Sequence, residues 1–212
     1  MCRALKLNRI ILASSSPRRA ELLRQIGISF DVMPSAKEEP APSGQAPEEF
    51  VVKTAILKGE YIRRKLIKDS YDLNKIVVAA DTVVCIDGEV LGKPRNVQDA
   101  SNMLRRYSSR EVQVYTAIFV AKSDFTTTGY EMTKVRFSKL SEPDIKSYVS
   151  SGEPLDKAGS FGIQGLGAQY IESIEGCYYN VVGLPLALLR RLISELGFDV
   201  ICGEITAKVS QQ

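Results

Sequence analysis

The chain has 212 residues, 44% hydrophobic and 25% charged, with a net charge of +3. That suits one large α/β domain and is too weakly basic to argue for nucleic-acid binding. It contains no histidine, which excludes Ser-His-Asp and Cys-His catalysis, phosphohistidine chemistry and His-ligated zinc. Catalysis must rest on carboxylates, Lys, Arg, Tyr, Ser/Thr or an oxygen-held metal. No apolar run approaches the ~20 residues that span a bilayer. The run Ile10–Ala13 is shorter than the roughly 7 residues of a minimal signal core, so a cytoplasmic location and no membrane are expected. Cys2, Cys85, Cys177 and Cys202 form no C-x-x-C pair and read as reduced thiols.

In chain order, "RIILA" (9–13) reads as a buried strand. Ser16 and Pro17 then read as N-cap and first turn of a helix that stops at Gly27. "ISFDVM" alternates like a strand, and "PSAKEEPAPSGQAP" is a loop by composition. A long helix is expected from about Pro47 to about Ile67, with Arg63, Arg64, Lys65 and Lys68 on a solvated face. "KIVVAAD" reads as a second buried strand ending in Asp81. Asp87-Gly88 between apolar runs predicts a type I′ hairpin. A helix over Val97–Tyr107 precedes two long paired strands, "EVQVYTAIFVA" and "TGYEMTKVRFSKL". Ser141 with Asp144 approximates a capping box. The glycine-rich segment from Gly152 reads mostly as loop, with a short strand near Gln169–Ile174. "LPLALLRRLISELG" is a final helix, and the tail after Phe198 reads as peripheral. Strands and helices alternate and then strands cluster, which predicts α/β with a mixed sheet.

The stretch "LASSSPRRAELL" leaves a strand through small hydroxyl residues and places Arg18 and Arg19 on the first turn of a helix. Backbone N–H groups there favour anions, small residues such as Ser14 let a ligand approach, and guanidinium groups match phosphate oxygens. Without an anion, the two arginines are surface charges at the unfavourable end of the helix dipole. Asp81 is either a cation ligand or general base, or else a turn residue. Lys58 shares a stripe with Val51, Ala55 and Ile62, so it either snorkels or reaches into a phosphate cleft. Lys93 sits in "GKP", a weak signal alone. "EEP" (38–40) is a metal site or solvated charge. Asp156 and Lys157 precede Gly159, Gly162, Gly165 and Gly167, a density that points to backbone close to a ligand. Gln164 can read a base edge through its amide. The pair Tyr178-Tyr179 reads as packing. Together these point to metal-assisted hydrolysis of a phosphate anhydride.

The stretches "LASSSPRRAELL", "AADTVV", "GEVLGKP" and "GEPLDKAGSFGIQGLGAQYIESIEGCYYNVVGLPL" resemble the Maf family of nucleoside triphosphate pyrophosphatases, over about residues 9–196 of one domain. The resemblance implies a Maf/ITPase-like α/β fold: an elongated mixed sheet, flanking helices and a deep cleft between two lobes. It implies hydrolysis between the α- and β-phosphates of a pyrimidine nucleoside triphosphate, dTTP or UTP, to monophosphate and pyrophosphate, and a homodimer; the weak net charge and absent aromatic stripe leave no nucleic-acid partner expected. A divalent cation (Mg2+, Mn2+ or Co2+) is the implied cofactor, with Glu38 or its neighbour Glu39 as its ligand. Asp81 matches the proton acceptor, and Arg18, Thr82 and Gln164 match the specificity positions. Ser14, Arg19, Lys58, Lys93 and Asp156 match further cleft positions. One departure is Val112, in "SREVQVYT", where the family often has histidine. The alternative is a nucleotide-binding regulator of septum formation and cell division without turnover.

Overall fold

The computed structural model describes residues 6–7, 9–37, 40–42, 44–69 and 75–208. Glu38 and its neighbour Glu39, the expected metal ligand, lie outside the described residues. In chain order the elements are β1 (Lys6–Leu7), β2 (Ile10–Leu12), α1 (Pro17–Gln25), β3 (Phe30–Val32), α2 (Pro47–Lys68), β4 (Val77–Ile86), β5 (Glu89–Leu91) and α3 (Val97–Tyr107). Then come β6 (Glu111–Lys122), β7 (Phe125–Phe137), α4 (Glu142–Ser150), β8 (Ile171–Glu175), α5 (Tyr178–Val182), α6 (Leu186–Glu195), β9 (Phe198–Ile201) and β10 (Glu204–Ala207).

The fold is mixed α/β. Its main sheet has the order β3-β2-β4-β6-β7-β8, with β5 beside β4. β2 runs parallel to β3 and β4, and the remaining pairings are antiparallel. β4 organises the molecule. One edge pairs with β6 from Val77 to Cys85. The other edge pairs with β2 at Val77–Val78 and with β5 at Val84–Ile86. Between those two partners, at residues 79–83, the edge has no strand among the described residues, and the chain leaving β2 turns away there into α1.

Side chains alternate across the pleat. Val77, Ala79 and Val83 face α2, which packs Phe50, Val51, Ala55, Ile62 and Leu66 against them. α2 comes close because Gly59 has no Cβ; one would overlap the Phe119 ring. On the opposite face Val78 and Ala80 pack with Leu22 and Leu23 of α1 and Leu188, Leu189, Leu192 and Ile193 of α6. A third cluster gathers Tyr107, Phe137, Phe161 and the buried faces of α3 and α4.

Most local signals are borne out. α1 ends in a Schellman arrangement: Ile28 N–H bonds Leu23 C=O, Gly27 N–H bonds Arg24 C=O, and Gly27 has φ +76°. Ser16 holds the N-cap position without a side-chain cap; Ser14 Oγ instead accepts the Ser16 N–H at 3.2 Å. Asp87 (φ 55°) and Gly88 (φ 78°) make the expected two-residue turn, and Ser141 with Asp144 forms a complete capping box. Two expectations are corrected. β4 does not end at Asp81 but continues to Ile86, because β6 pairs along it. The tail is not peripheral: β9 and β10 form a three-stranded sheet with β1, and Phe198 and Ile205 are buried in the α1/α6 core.

Candidate active site

Ser14, Arg18, Arg19, Lys58, Asp81, Thr82, Lys93, Asp156 and Gln164 all line one pocket of about 530 Å3, at the gap in the β4 edge. Every predicted site residue that is described therefore lies on the same pocket. Lys37 and Glu153 also line the pocket without having been expected there. Lys37 lies in the proline-rich loop and Glu153 three residues before Asp156, and neither position carries a pattern that singles it out.

Asp81 sits at the middle of β4 on the α2 face. Its side chain is 8% exposed, and Lys58 Nζ donates to its Oδ1 at 2.6 Å. The side chain of Lys58 is 12% exposed. The apolar stripe on α2 thus carries Lys58 inward to a carboxylate, and snorkelling toward solvent is not its role. A pair so far out of water is held by position, since separating either member leaves an uncompensated charge.

Thr82, the next residue, projects to the opposite face and meets Arg19. Arg19 Nε donates to the Gly183 carbonyl at 2.8 Å, Nη1 to Ser14 Oγ at 3.0 Å and Nη2 to Thr82 Oγ1 at 3.0 Å. Thr82 Oγ1 lies 2.9 Å from Thr116 Oγ1, which itself donates to the Asn180 carbonyl at 2.9 Å. A hydroxyl has one proton, so Thr82 donates to Thr116 and accepts from Arg19. Of the two adjacent arginines, Arg19 is the one built into the walls. Arg18 reaches across the pocket mouth to Asp156 Oδ2 at 3.2 Å, and Lys157 Nζ meets Asp156 Oδ1 at 2.8 Å. Burial pushes the Asp156 carboxyl up, but its bonds to Lys157 and Arg18 outweigh that and hold it below its ordinary range.

Gly162 and Gly165 line the pocket, in keeping with the expected backbone close to a ligand, and the glycines of 162–167 have a second use as well. A Cβ on Gly162 would strike the Lys157 stem, one on Gly165 the Glu153 carboxylate, and one on Gly167 the Tyr148 hydroxyl. They make room for the protein's own side chains. Val112 is buried in the third core cluster, opposite Val135, so its position is structural. Tyr179 packs against the α1/α6 core as expected, its ring 5.6 Å from that of Tyr178, which is 40% exposed.

The family model described as Maf-like protein matches residues 9–196, and the chain belongs to that family. It is 39% identical over 201 residues to the dTTP/UTP pyrophosphatase of Caldicellulosiruptor saccharolyticus, covering 94% of this chain and 100% of that protein. It is 45% identical over 196 residues to the dTTP/UTP pyrophosphatase of Methylobacillus flagellatus, covering 92% and 96%. Among solved structures, the Ham1 protein of Staphylococcus aureus aligns with a TM-score of 0.46 and 17% identity, over 77% of this chain and 79% of that one.

Proposed function

We propose that this protein is a nucleoside triphosphate pyrophosphatase that hydrolyses dTTP and UTP to the monophosphate and pyrophosphate. The observation that carries the reading is a buried carboxylate, Asp81, in a pocket where cations predominate. Arg18, Arg19, Lys37, Lys58, Lys93 and Lys157 line it, against the carboxylates Asp81, Glu153 and Asp156 among the described residues. That balance suits a polyanionic triphosphate. The names of the relatives supply the pyrimidine.

Chemically, Lys37, Lys93 and Arg18 bind the triphosphate and offset the charge that builds on the departing pyrophosphate. Asp81 accepts a proton from a water that attacks the α-phosphorus, while the bond from that phosphorus to the bridging oxygen breaks and pyrophosphate leaves. Lys58 fixes the direction of the carboxylate. Thr82 and Gln164 face the base, and Arg19 holds Thr82 in place.

A divalent cation belongs to this reading. The described residues contain no cluster of three or more Asp, Glu, Cys or His side chains that could cage an ion. Asp81 and Asp156 line the pocket and each already meets a cation, Lys58 for the one and Arg18 with Lys157 for the other; a bound Mg2+ would displace one of those contacts and take substrate phosphate oxygens as its further donors. Such an ion supplies charge neutralisation on the phosphate oxygens when bound. The reading also includes a homodimer in the cytoplasm; no described helix is long and apolar enough to cross a membrane.

The test incubates the protein with Mg2+ or Mn2+ and dTTP, UTP, CTP, GTP or 7-methyl-GTP, and measures pyrophosphate against orthophosphate. Pyrophosphate released chiefly from dTTP and UTP is expected. Orthophosphate would make the protein a phosphatase. No turnover by folded protein would favour a nucleotide-binding regulator.

A further inference from the structure

Residues 153–170 contain only short 3-10 turns, at Glu153–Asp156, Ala158–Ser160 and Leu166–Tyr170. Backbone groups there need partners other than a ladder. Glu153 provides two of them. Its Oε2 accepts the Leu166 N–H at 2.7 Å, and its Oε1 accepts the Gly167 N–H at 3.2 Å and the Tyr148 hydroxyl at 2.9 Å. The same Tyr148 oxygen accepts the Gly162 N–H at 3.1 Å. Both ends of the stretch 162–167 are thus gathered on one carboxylate–phenol pair. Gln164 stands between those ends, exposed, on the pocket wall.

The hub is itself anchored. Tyr148 is 3% exposed on α4, its ring 5.6 Å from that of Tyr170. Lys157 Nζ donates to the Glu153 carbonyl at 2.6 Å as well as to Asp156, which ties the hub to the Arg18–Asp156 bridge. Three donors converge on a group that only accepts, an arrangement that an ionised carboxylate satisfies and a carboxamide does not. The glycines fit around it: on both Gly165 and Gly167 a Cβ would displace a member of the hub.

We propose that Glu153 is a positioning residue for nucleobase recognition: with the Tyr148 hydroxyl it closes residues 162–167 into the loop that presents the Gln164 carboxamide to the base. The inference rests on the nucleotide reading given above. Glu153 touches no reacting atom; it acts through Gln164.

The experiment is a double-mutant cycle. Glu153→Gln, Gln164→Ala and the double variant are assayed with dTTP and GTP, alongside amide hydrogen exchange of the unliganded proteins. Glu153→Gln places an amide nitrogen against at least one N–H or O–H donor and loosens the loop. The expected loss in kcat/KM for dTTP is roughly tenfold to a hundredfold, carried mainly by KM, with a smaller loss for GTP. The double variant should be no worse than Gln164→Ala alone. Exchange at the Leu166 and Gly167 amides should rise while that of the β4 amides stays unchanged. Additive losses, equal losses on dTTP and GTP, or unchanged exchange at those two amides would overturn the proposal. If Glu153→Gln does not fold, Tyr148→Phe removes only the hydroxyl and should move every readout the same way, by less. Wild-type protein that leaves dTTP intact refutes the nucleotide reading itself, and with it the base-recognition role, whereas a hub failure appears with wild-type turnover intact.

Discussion

Asp81 and Gln164 line the same pocket and are held there by opposite means. Asp81 belongs to a ten-residue strand whose residues are buried apart from Thr82, and β6 pairs with nearly its whole length. Its position is a property of the core. Gln164 stands on a segment without strand or α-helix, where a single carboxylate gathers the backbone N–H groups of Leu166 and Gly167. Its position is local. Regions of the second kind open with less free energy than the global unfolding of the molecule. Damage to the strand wall should therefore cost stability and turnover together. Damage to the loop wall should alter recognition with little change in global unfolding.

The sharpest break in that contrast comes from Asp81→Asn. Removing the base should lower kcat/KM for dTTP by about 10²- to 10⁴-fold. It also leaves the Lys58 ammonium buried without its carboxylate, at a cost of about 3–5 kcal/mol. Steady-state kinetics and urea denaturation read the two effects separately. Turnover at the wild-type level would remove Asp81 from the mechanism.

Lys58→Met tests whether the strand wall is one coupled unit. Alone it strands the Asp81 carboxylate, again at about 3–5 kcal/mol. Combined with Asp81→Asn it removes both charges, and the stability of the double variant should recover most of that loss while activity stays absent. Urea midpoints of the four proteins decide it. Simple additivity would mean that the 2.6 Å contact carries no coupling, and the contrast between the walls would lose its basis.

The sequence spoke clearly where one short segment decides the structure. The Asp87-Gly88 turn, the α3 limits and the Ser141 capping box depend on neighbours a few residues away, and all three formed as read. It was silent where partners are remote. The continuation of β4 through Asp81 is set by β6, some thirty residues on, so an aspartate after an apolar run looked like a terminus; the strand ends at the local Asp87-Gly88 turn into β5. The C-terminal strands β9 and β10 make a local hairpin that turns at Cys202-Gly203, a weaker signal than Asp-Gly, and their third strand, β1, comes from the other end of the chain. Arg18, Arg19 and Asp81 stood out by residue type at a helix start and on an apolar strand, whereas Lys58 and Lys93 stayed open on their own and Thr82 entered only through the family resemblance. The division of labour among them was not legible. Arg18 and Arg19 are adjacent, and only the Gly183 carbonyl and the Ser14 and Thr82 hydroxyls distinguish the one built into the wall. Glu153 escaped notice because its backbone partners lie 13 and 14 residues downstream and Tyr148 five residues upstream, at no helical or strand spacing.

The smallest expected effect belongs to the loop wall in acid, and its sign follows from Glu153. Burial pushes this carboxyl up, yet the Leu166 and Gly167 N–H groups, the Tyr148 hydroxyl and the Lys157 charge together hold it below its ordinary value of 4.5. Asp156, beside it, is lowered in the same sense by Lys157 and Arg18. A carboxyl whose folded value lies below its unfolded one contributes stability that is complete above the unfolded value and is lost as pH falls through the folded one. The loop should therefore keep its protection from neutral pH down to the ordinary carboxylate range and lose it only below that. Protonation would turn one acceptor oxygen of the hub into a donor facing N–H groups. Protection factors at Leu166 and Gly167, measured against the β4 amides across that range, should fall first at the loop. Loss beginning near neutral pH, or loop and strand failing together, would mean that the two walls share one cooperative unit after all.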